Sequence, residues 1–183
     1  MNARVYKVLF LCTGNSSRSI MAEALLNVLG KGRFEAYSAG SRPVGTVNPL
    51  AAEQVLCFAP AYPLAALHSK SWLDFAARGA AHMDFIITVC DSAAGEPCPH
   101  WPGHPITAHW GHADPARAAG EDWIRRQAFE RVFRQIRRRV EQLVMLPLAW
   151  LDDDAVRREA VRAIGARPVD DGAGTAATLY KSI

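Results

Sequence analysis

The junction at residues 5–29 constrains the fold more than any other stretch. Residues 5–11, VYKVLFL, form a short apolar run of β type. The run stops at Cys12-Thr13-Gly14-Asn15, and Ile20, Ala24, Leu25 and Val28 then recur at helical spacing. A strand, a polar loop and a helix in this order open a βαβ unit.

The same alternation continues. Residues 34–39, FEAYSA, read as a second strand. Asn48-Pro49 starts a helix that runs to about Cys57, with proline in its first turn. Residues 84–89, DFIITV, have the short apolar, β-branched character of a fully buried parallel strand. A Gly-, Pro- and His-rich loop follows Cys90, and residues 106–110, ITAHW, read as a fourth strand. Residues 121–146 form the longest helix, with Phe129, Val132, Phe133, Ile136, Val140, Leu143 and Val144 as one apolar stripe. Residues 152–164 suggest one more amphipathic helix, and the Gly/Ala/Asp-rich tail from 165 is expected to fray.

The expected fold is therefore α/β: a single doubly wound domain over 1–146, with a four-stranded parallel sheet flanked by helices. A C-terminal helix and tail occupy 147–183. Ligands of such sheets bind beyond the carboxyl ends of strands, at a topological switch point. Cys12 and Cys90 both fall at such ends.

Composition removes several classes. The chain has 183 residues, 50% hydrophobic and 21% charged, with a net charge of +3, as expected of one ordinary globular domain. No stretch approaches the ~18 apolar residues of a membrane span, and the N-terminal apolar run is too short for a signal peptide. Arg125, Arg126, Arg131, Arg134, Arg137, Arg138 and Arg139 read as a solvated helix face, since Glu130 and Glu141 interrupt them and exposed aromatics are lacking. Neither a nucleic-acid nor a membrane partner is expected. His100, His104, His109 and His112 match no standard zinc spacing, so no metal is expected. The four cysteines are Cys12, Cys57, Cys90 and Cys98, with no C-x-x-C pair. They are too few for a disulfide scaffold, so the expectation is a cytoplasmic protein with reduced thiols. Cys57 lies in a helical apolar pattern and is expected in the core.

The segment Cys12-Thr13-Gly14-Asn15-Ser16-Ser17-Arg18-Ser19 has the form C-x5-R-S. Five residues between Cys and Arg let the backbone curl so that successive N–H groups point at one centre. The helix N-terminus adds its positive end. Arg18 supplies a planar fork for two oxygens of a tetrahedral oxyanion, and Gly14 is expected to give the turn its freedom of φ. Thr13, Gly14, Asn15, Ser16, Ser17 and Arg18 are thus the expected oxyanion-binding residues. Cys12 lies at the bottom, where positive potential is expected to lower its pKa and make a thiolate nucleophile. Ser19 can donate a hydrogen bond to its sulfur. No P-loop NTPase motif is present.

These residues resemble a known family. VLFLCTGNSSRSIMAEAL and YSAGSRPVGTVNPLA, residues 37–51, are similar to the opening of the low-molecular-weight tyrosine phosphatases, and HWGHADP, residues 109–115, to their acid loop. The resemblance covers roughly residues 5–146. Two activities share that scaffold. A phosphatase needs Cys12, Arg18 and the acid, which the resemblance places at Asp114; Asp114 before Pro115 also reads as an ordinary turn residue. An arsenate reductase needs two further thiols. Thr88-Val89-Cys90-Asp91 followed by Cys98-Pro99 looks like the redox segment of the reductases.

The resemblance therefore implies arsenate reduction, with Cys12 as nucleophile and a disulfide relay through Cys90 and Cys98. An external thiol, thioredoxin or glutathione with glutaredoxin, would reset the enzyme, and no cofactor would be bound. Adjacent parallel strands lie ~4.8 Å apart, so thiols at their ends can come within disulfide reach. Some relatives hold a potassium ion with residues matching Asn15, Glu23 and Ser38. Lys70 stands where they carry a further acid, so its ammonium is expected to replace the ion and pair with Glu23.

Overall fold

The computed structural model describes residues 4–168. In chain order the elements are β1 (Tyr6–Cys12), α1 (Arg18–Leu29), β2 (Phe34–Gly40), α2 (Pro49–Phe58), α3 (Leu73–Ala76), β3 (Phe85–Thr88), α4 (Asp91–Ala94), β4 (Ile106–His109), α5 (Asp122–Val144), α6 (Leu148–Asp152) and α7 (Asp154–Ala166). Two 3₁₀ turns lie at Leu64–Ala66 and Pro115–Arg117. The four strands form one parallel sheet in the order β2-β1-β3-β4. The chain winds outward from β1 to β2 and then crosses to β3 on the other side. The switch point thus lies between β1 and β3, directly above Cys12.

Alternation along β1 sorts the core into two layers. Tyr6, Val8, Phe10 and Cys12 face α1 and α5, with Ile20, Leu25, Phe129, Ile136 and Val140. Leu9 and Leu11 face the other way, against Trp72, Met83, Ile86 and Trp101. Both faces are covered, as a parallel sheet requires. The second cover is thin, made of the one-turn helix α3 and loops rather than long helices.

Element ends account for most differences from the sequence pattern. The longest helix is 122–144 rather than 121–146. Pro147 separates α5 from α6, Asp153 caps α7 and separates it from α6, and α7 runs two residues past 164. The loop after Cys90 contains the short helix α4. The remainder of the tail, from 169, lies outside the described residues.

Two side chains depart from expectation. Cys57 is exposed, not core. The inward stripe of α2 is Ala51, Gln54 and Val55, and Cys57 lies off that stripe. Arg139 is only 6% exposed, not solvated. It stands three residues after Ile136 and seven after Val132, so it continues the apolar stripe of α5.

Candidate active site

The oxyanion loop, residues 12–19, joins β1 to α1. Its sharpest backbone feature is Asn15, at φ 43°. The left-handed residue is therefore Asn15 and not Gly14; asparagine tolerates that region better than most residues. Asn15 is fully buried, and its side chain is consumed by scaffolding. Nδ2 donates to Ser19 Oγ and Ser38 Oγ, both at 2.9 Å, and Oδ1 accepts the Lys70 N–H at 2.8 Å. Its own N–H turns inward to Cys12 Sγ at 3.2 Å. The loop also rests on the end of β2. A Cβ on Gly40 would come within 2.5 Å of the Thr13 carbonyl, so only glycine fits there.

Cys12 is 4% exposed, with Sγ 2.8 Å from Ser19 Oγ. Because Ser19 Oγ accepts from Asn15, its own proton is free for the sulfur. The expected depression of the Cys12 pKa is not what this environment produces. Burial pushes the thiol up and outweighs the hydrogen bonds from Ser19 and the Asn15 N–H that pull it down; the nearby Cys90 adds to the rise. The expectation counted amides and the helix end but not desolvation.

Arg18 is also differently engaged. Its Nη1 donates to the His112 carbonyl at 3.0 Å and its Nη2 pairs with Asp114 Oδ2 at 3.2 Å. Two of its five N–H donors thus hold the acid loop, leaving the rest for an oxyanion. Asp114 is a turn residue, its Oδ1 accepting the Ala116 N–H, and it lines the same cleft as Cys12.

The cleft has a volume of about 440 Å³. Cys12, Thr13, Gly14, Ser16, Ser17 and Arg18 line it, with Arg42, Val44 and Asn48 beside them, and Ser92, Asp114, Ala116 and Arg117 complete the lining. Sequence reasoning missed Arg42, in the loop after β2, and Arg117, in the 3₁₀ turn after Asp114; neither belongs to a spacing that marks an oxyanion site. No aromatic residue is among these lining residues. Trp110, beside the acid loop, is fully buried and packs on Phe10 instead.

Cys90 comes to the same place. β1 and β3 are paired with Leu11 opposite Thr88, and Cys90 follows two residues later as the N-cap of α4. Its buried Sγ lies 3.8 Å from Thr13 Oγ1. Cys98 does not join them. It is exposed and lines a separate cavity with Trp101, His109 and Arg162. Burial and the neighbouring Glu96 push its thiol up.

Beneath the loop, Lys70 Nζ lies 3.4 Å from Glu23 Oε2, and Ser38 Oγ donates to the same oxygen. Burial pushes the Glu23 carboxyl up, opposed chiefly by the Lys70 charge. An ammonium thus already neutralises the carboxylate that would face a potassium ion, and these residues do not fit an added cation. Among the described residues no group of three His, Cys, Asp or Glu is placed to hold a metal. No helix among them is long and apolar enough to cross a membrane.

A buried thiol that accepts a loop N–H, in one cleft with an arginine and a carboxylate, suits an enzyme that takes up an oxyanion through cysteine. The chain belongs to the family described as low molecular weight phosphotyrosine protein phosphatase, which it matches over residues 7–160. Within it, an arsenate reductase of Shouchella clausii is 32% identical over 143 residues, covering 74% of this chain and 92% of that protein. A solved arsenate reductase in its phosphate-binding state is 27% identical with a TM-score of 0.58, covering 76% of this chain and 97% of that one. The thioredoxin-dependent arsenate reductase of Corynebacterium glutamicum is 30% identical with a TM-score of 0.51, covering 75% of this chain and 61% of that one.

Proposed function

We propose that this chain reduces arsenate to arsenite through Cys12, Cys90 and Cys98. The observation that carries this reading is a second buried thiol beside the oxyanion loop, Cys90, whose Sγ lies 3.8 Å from Thr13 Oγ1. Phosphate-ester hydrolysis has no use for it. The absence of aromatic side chains from the lining, and the arginines at its rim, suit a small charged oxyanion better than a phenyl ring. The arsenate reductases among its relatives favour the same reading.

Arsenate docks against the loop N–H groups of residues 13–18 and the free donors of Arg18. Cys12 attacks arsenic, and the leaving oxygen departs as water. That water takes the thiol proton and a proton through Asp114, acting as general acid. A thiol held above its ordinary range gives up its proton as the bond forms, with Ser19 stabilising the sulfur. Cys90 thiolate then attacks Cys12 Sγ. The S–S bond forms, the S–As bond breaks, and its electron pair stays on arsenic, which leaves as arsenite. Cys98 thiolate attacks Cys90 Sγ, frees Cys12 and carries the disulfide outward. An external thiol, thioredoxin or glutathione with glutaredoxin, reduces the Cys90–Cys98 pair. A cytoplasmic enzyme would meet such reductants there. Lys70 stands in for a cation, so potassium is not required.

The test is Cys90→Ser. Thiol-dependent arsenite formation should vanish, while slow hydrolysis of an aryl phosphate by Cys12 should persist. Wild-type protein that hydrolyses phosphate esters briskly but forms no arsenite with either thiol system overturns the reading in favour of a phosphatase.

A further inference from the structure

Arg139 is a buried guanidinium whose named contacts are all neutral acceptors, from two separate parts of the chain. Nη1 donates to the Gly111 carbonyl at 2.9 Å and lies 3.2 Å from His112 Nε2. Nη2 donates to the Gly165 carbonyl at 3.1 Å and reaches the Arg167 carbonyl at 3.4 Å. Gly111 and His112 belong to the acid loop. Gly165 and Arg167 are the carboxyl end of α7, whose last carbonyls lack intrahelical partners and carry the negative end of the helix dipole. One guanidinium caps that end and grips the loop together.

The His112 ring suits this grip. Burial and the Arg139 charge push its pKa down to about 3, so the imidazole is neutral near pH 7 and Nε2 can accept. The His112 carbonyl then receives Arg18, and two residues later Asp114 pairs with the same arginine. α7 also seats on the start of the loop. The Trp110 indole N–H donates to the Val161 carbonyl at 3.0 Å. A Cβ on Gly165 would fall 2.1 Å from the His109 carbonyl and 2.6 Å from Trp110 Cδ1. Val161, Gly165 and Arg167 all lie beyond the 7–160 region that the family pattern matches.

We propose that Arg139 is a positioning residue which, with the carboxyl end of α7, holds the acid loop so that Asp114 and Arg18 face Cys12. The carboxyl end of α7, beyond the matched region, is thereby part of the active-site apparatus. The proposal rests on the reading of Asp114 as the general acid.

A double-mutant cycle with Arg139→Met and Asp114→Asn, in the full chain and per mole of folded enzyme, tests it. It is read on single-turnover arsenate reduction and on phenyl phosphate hydrolysis, which uses Cys12 and Asp114 whichever reaction is native. Arg139→Met should lower kcat roughly tenfold, with KM changed less than about twofold, and should cost less than about twofold once Asp114 is Asn. Arg139→Lys should recover part of the loss. Gly165→Ala, which pushes α7 off the loop, should reproduce it. Hydrogen exchange of residues 110–116 gives an arm independent of activity: the Met variant should lose protection there. Equal losses in both Asp114 backgrounds, or unchanged kcat and unchanged exchange, overturn the proposal. Coupling on phenyl phosphate without arsenate reduction in the wild type would sink the reductase reading and leave the positioning role standing.

Discussion

The oxyanion loop and the segment Cys90–Cys98 carry the thiols of the proposed reaction, yet they are built in opposite ways. In the loop, Asn15, Ser17 and Ser19 are buried, and Asn15 alone ties together α1, β2 and the strand-like stretch at Lys70. Across residues 91–98 only Ala93 is buried. That segment holds a single helical turn, too short to be stable alone. Glu96 reaches Thr13 of the loop and Arg42 beyond it, at 3.5 Å each, and exposed Asp91 meets His109 at 3.0 Å. The difference matches the work of each part. A cradle for an oxyanion gains from fixed donors that need no rearrangement. A disulfide relay has to move Cys98 from its own cavity to Cys90, and only a loosely held segment can do that.

Three measurements can break or sharpen this contrast. Asn15→Ala should have the largest effect. It removes three buried hydrogen bonds at about 1 kcal/mol each, so urea unfolding should show a loss of about 3 kcal/mol, along with arsenate turnover. A loss well under 1 kcal/mol would mean the loop is not held as described. Thiol labelling comes next. Iodoacetamide should modify exposed Cys98 roughly tenfold or more faster than buried Cys12. Both thiols are pushed above their ordinary range, so the thiolate fraction is still growing as pH rises, and neither rate should level off by about pH 9. A plateau near neutral pH for Cys12 would contradict the dominance of burial. Glu96→Gln should have the smallest effect. Its partner Arg42 is 78% exposed, so stability should change by less than about 0.5 kcal/mol, while hydrogen exchange across 91–98 speeds up. A loss as large as that of Asn15→Ala would erase the distinction between the two regions.

Much of the fold was legible because its signals are local. The apolar runs at 5–11, 34–39 and 84–89 and the stripe from Phe129 to Val144 are periodicities that neighbours in sequence create themselves. The C-x5-R spacing was legible for the same reason, since the curl is made by consecutive residues. Residues whose place depends on distant partners were misread or missed. Cys57 sat in an apolar helix but faces out, because the burial stripe of α2 is set by what α2 packs against. Arg139 sat in an arginine run but faces in, because a loop 28 residues upstream and a helix end 26 residues downstream offer it carbonyls.

The sequence by itself determined the order of the four strands and the long helices, the parallel sheet, the oxyanion loop, and which cysteines lie at strand ends. Each of these follows from spacing along the chain. Only the tertiary structure decided that Asn15 rather than Gly14 takes the left-handed turn and that burial raises the Cys12 thiol. It also decided that Arg18 is spent partly on the loop at His112–Asp114 and that Arg139 joins that loop to the end of α7. These are questions of desolvation and of which unpaired groups meet across the fold. Their physical cause is the environment that distant segments assemble, which no local pattern records.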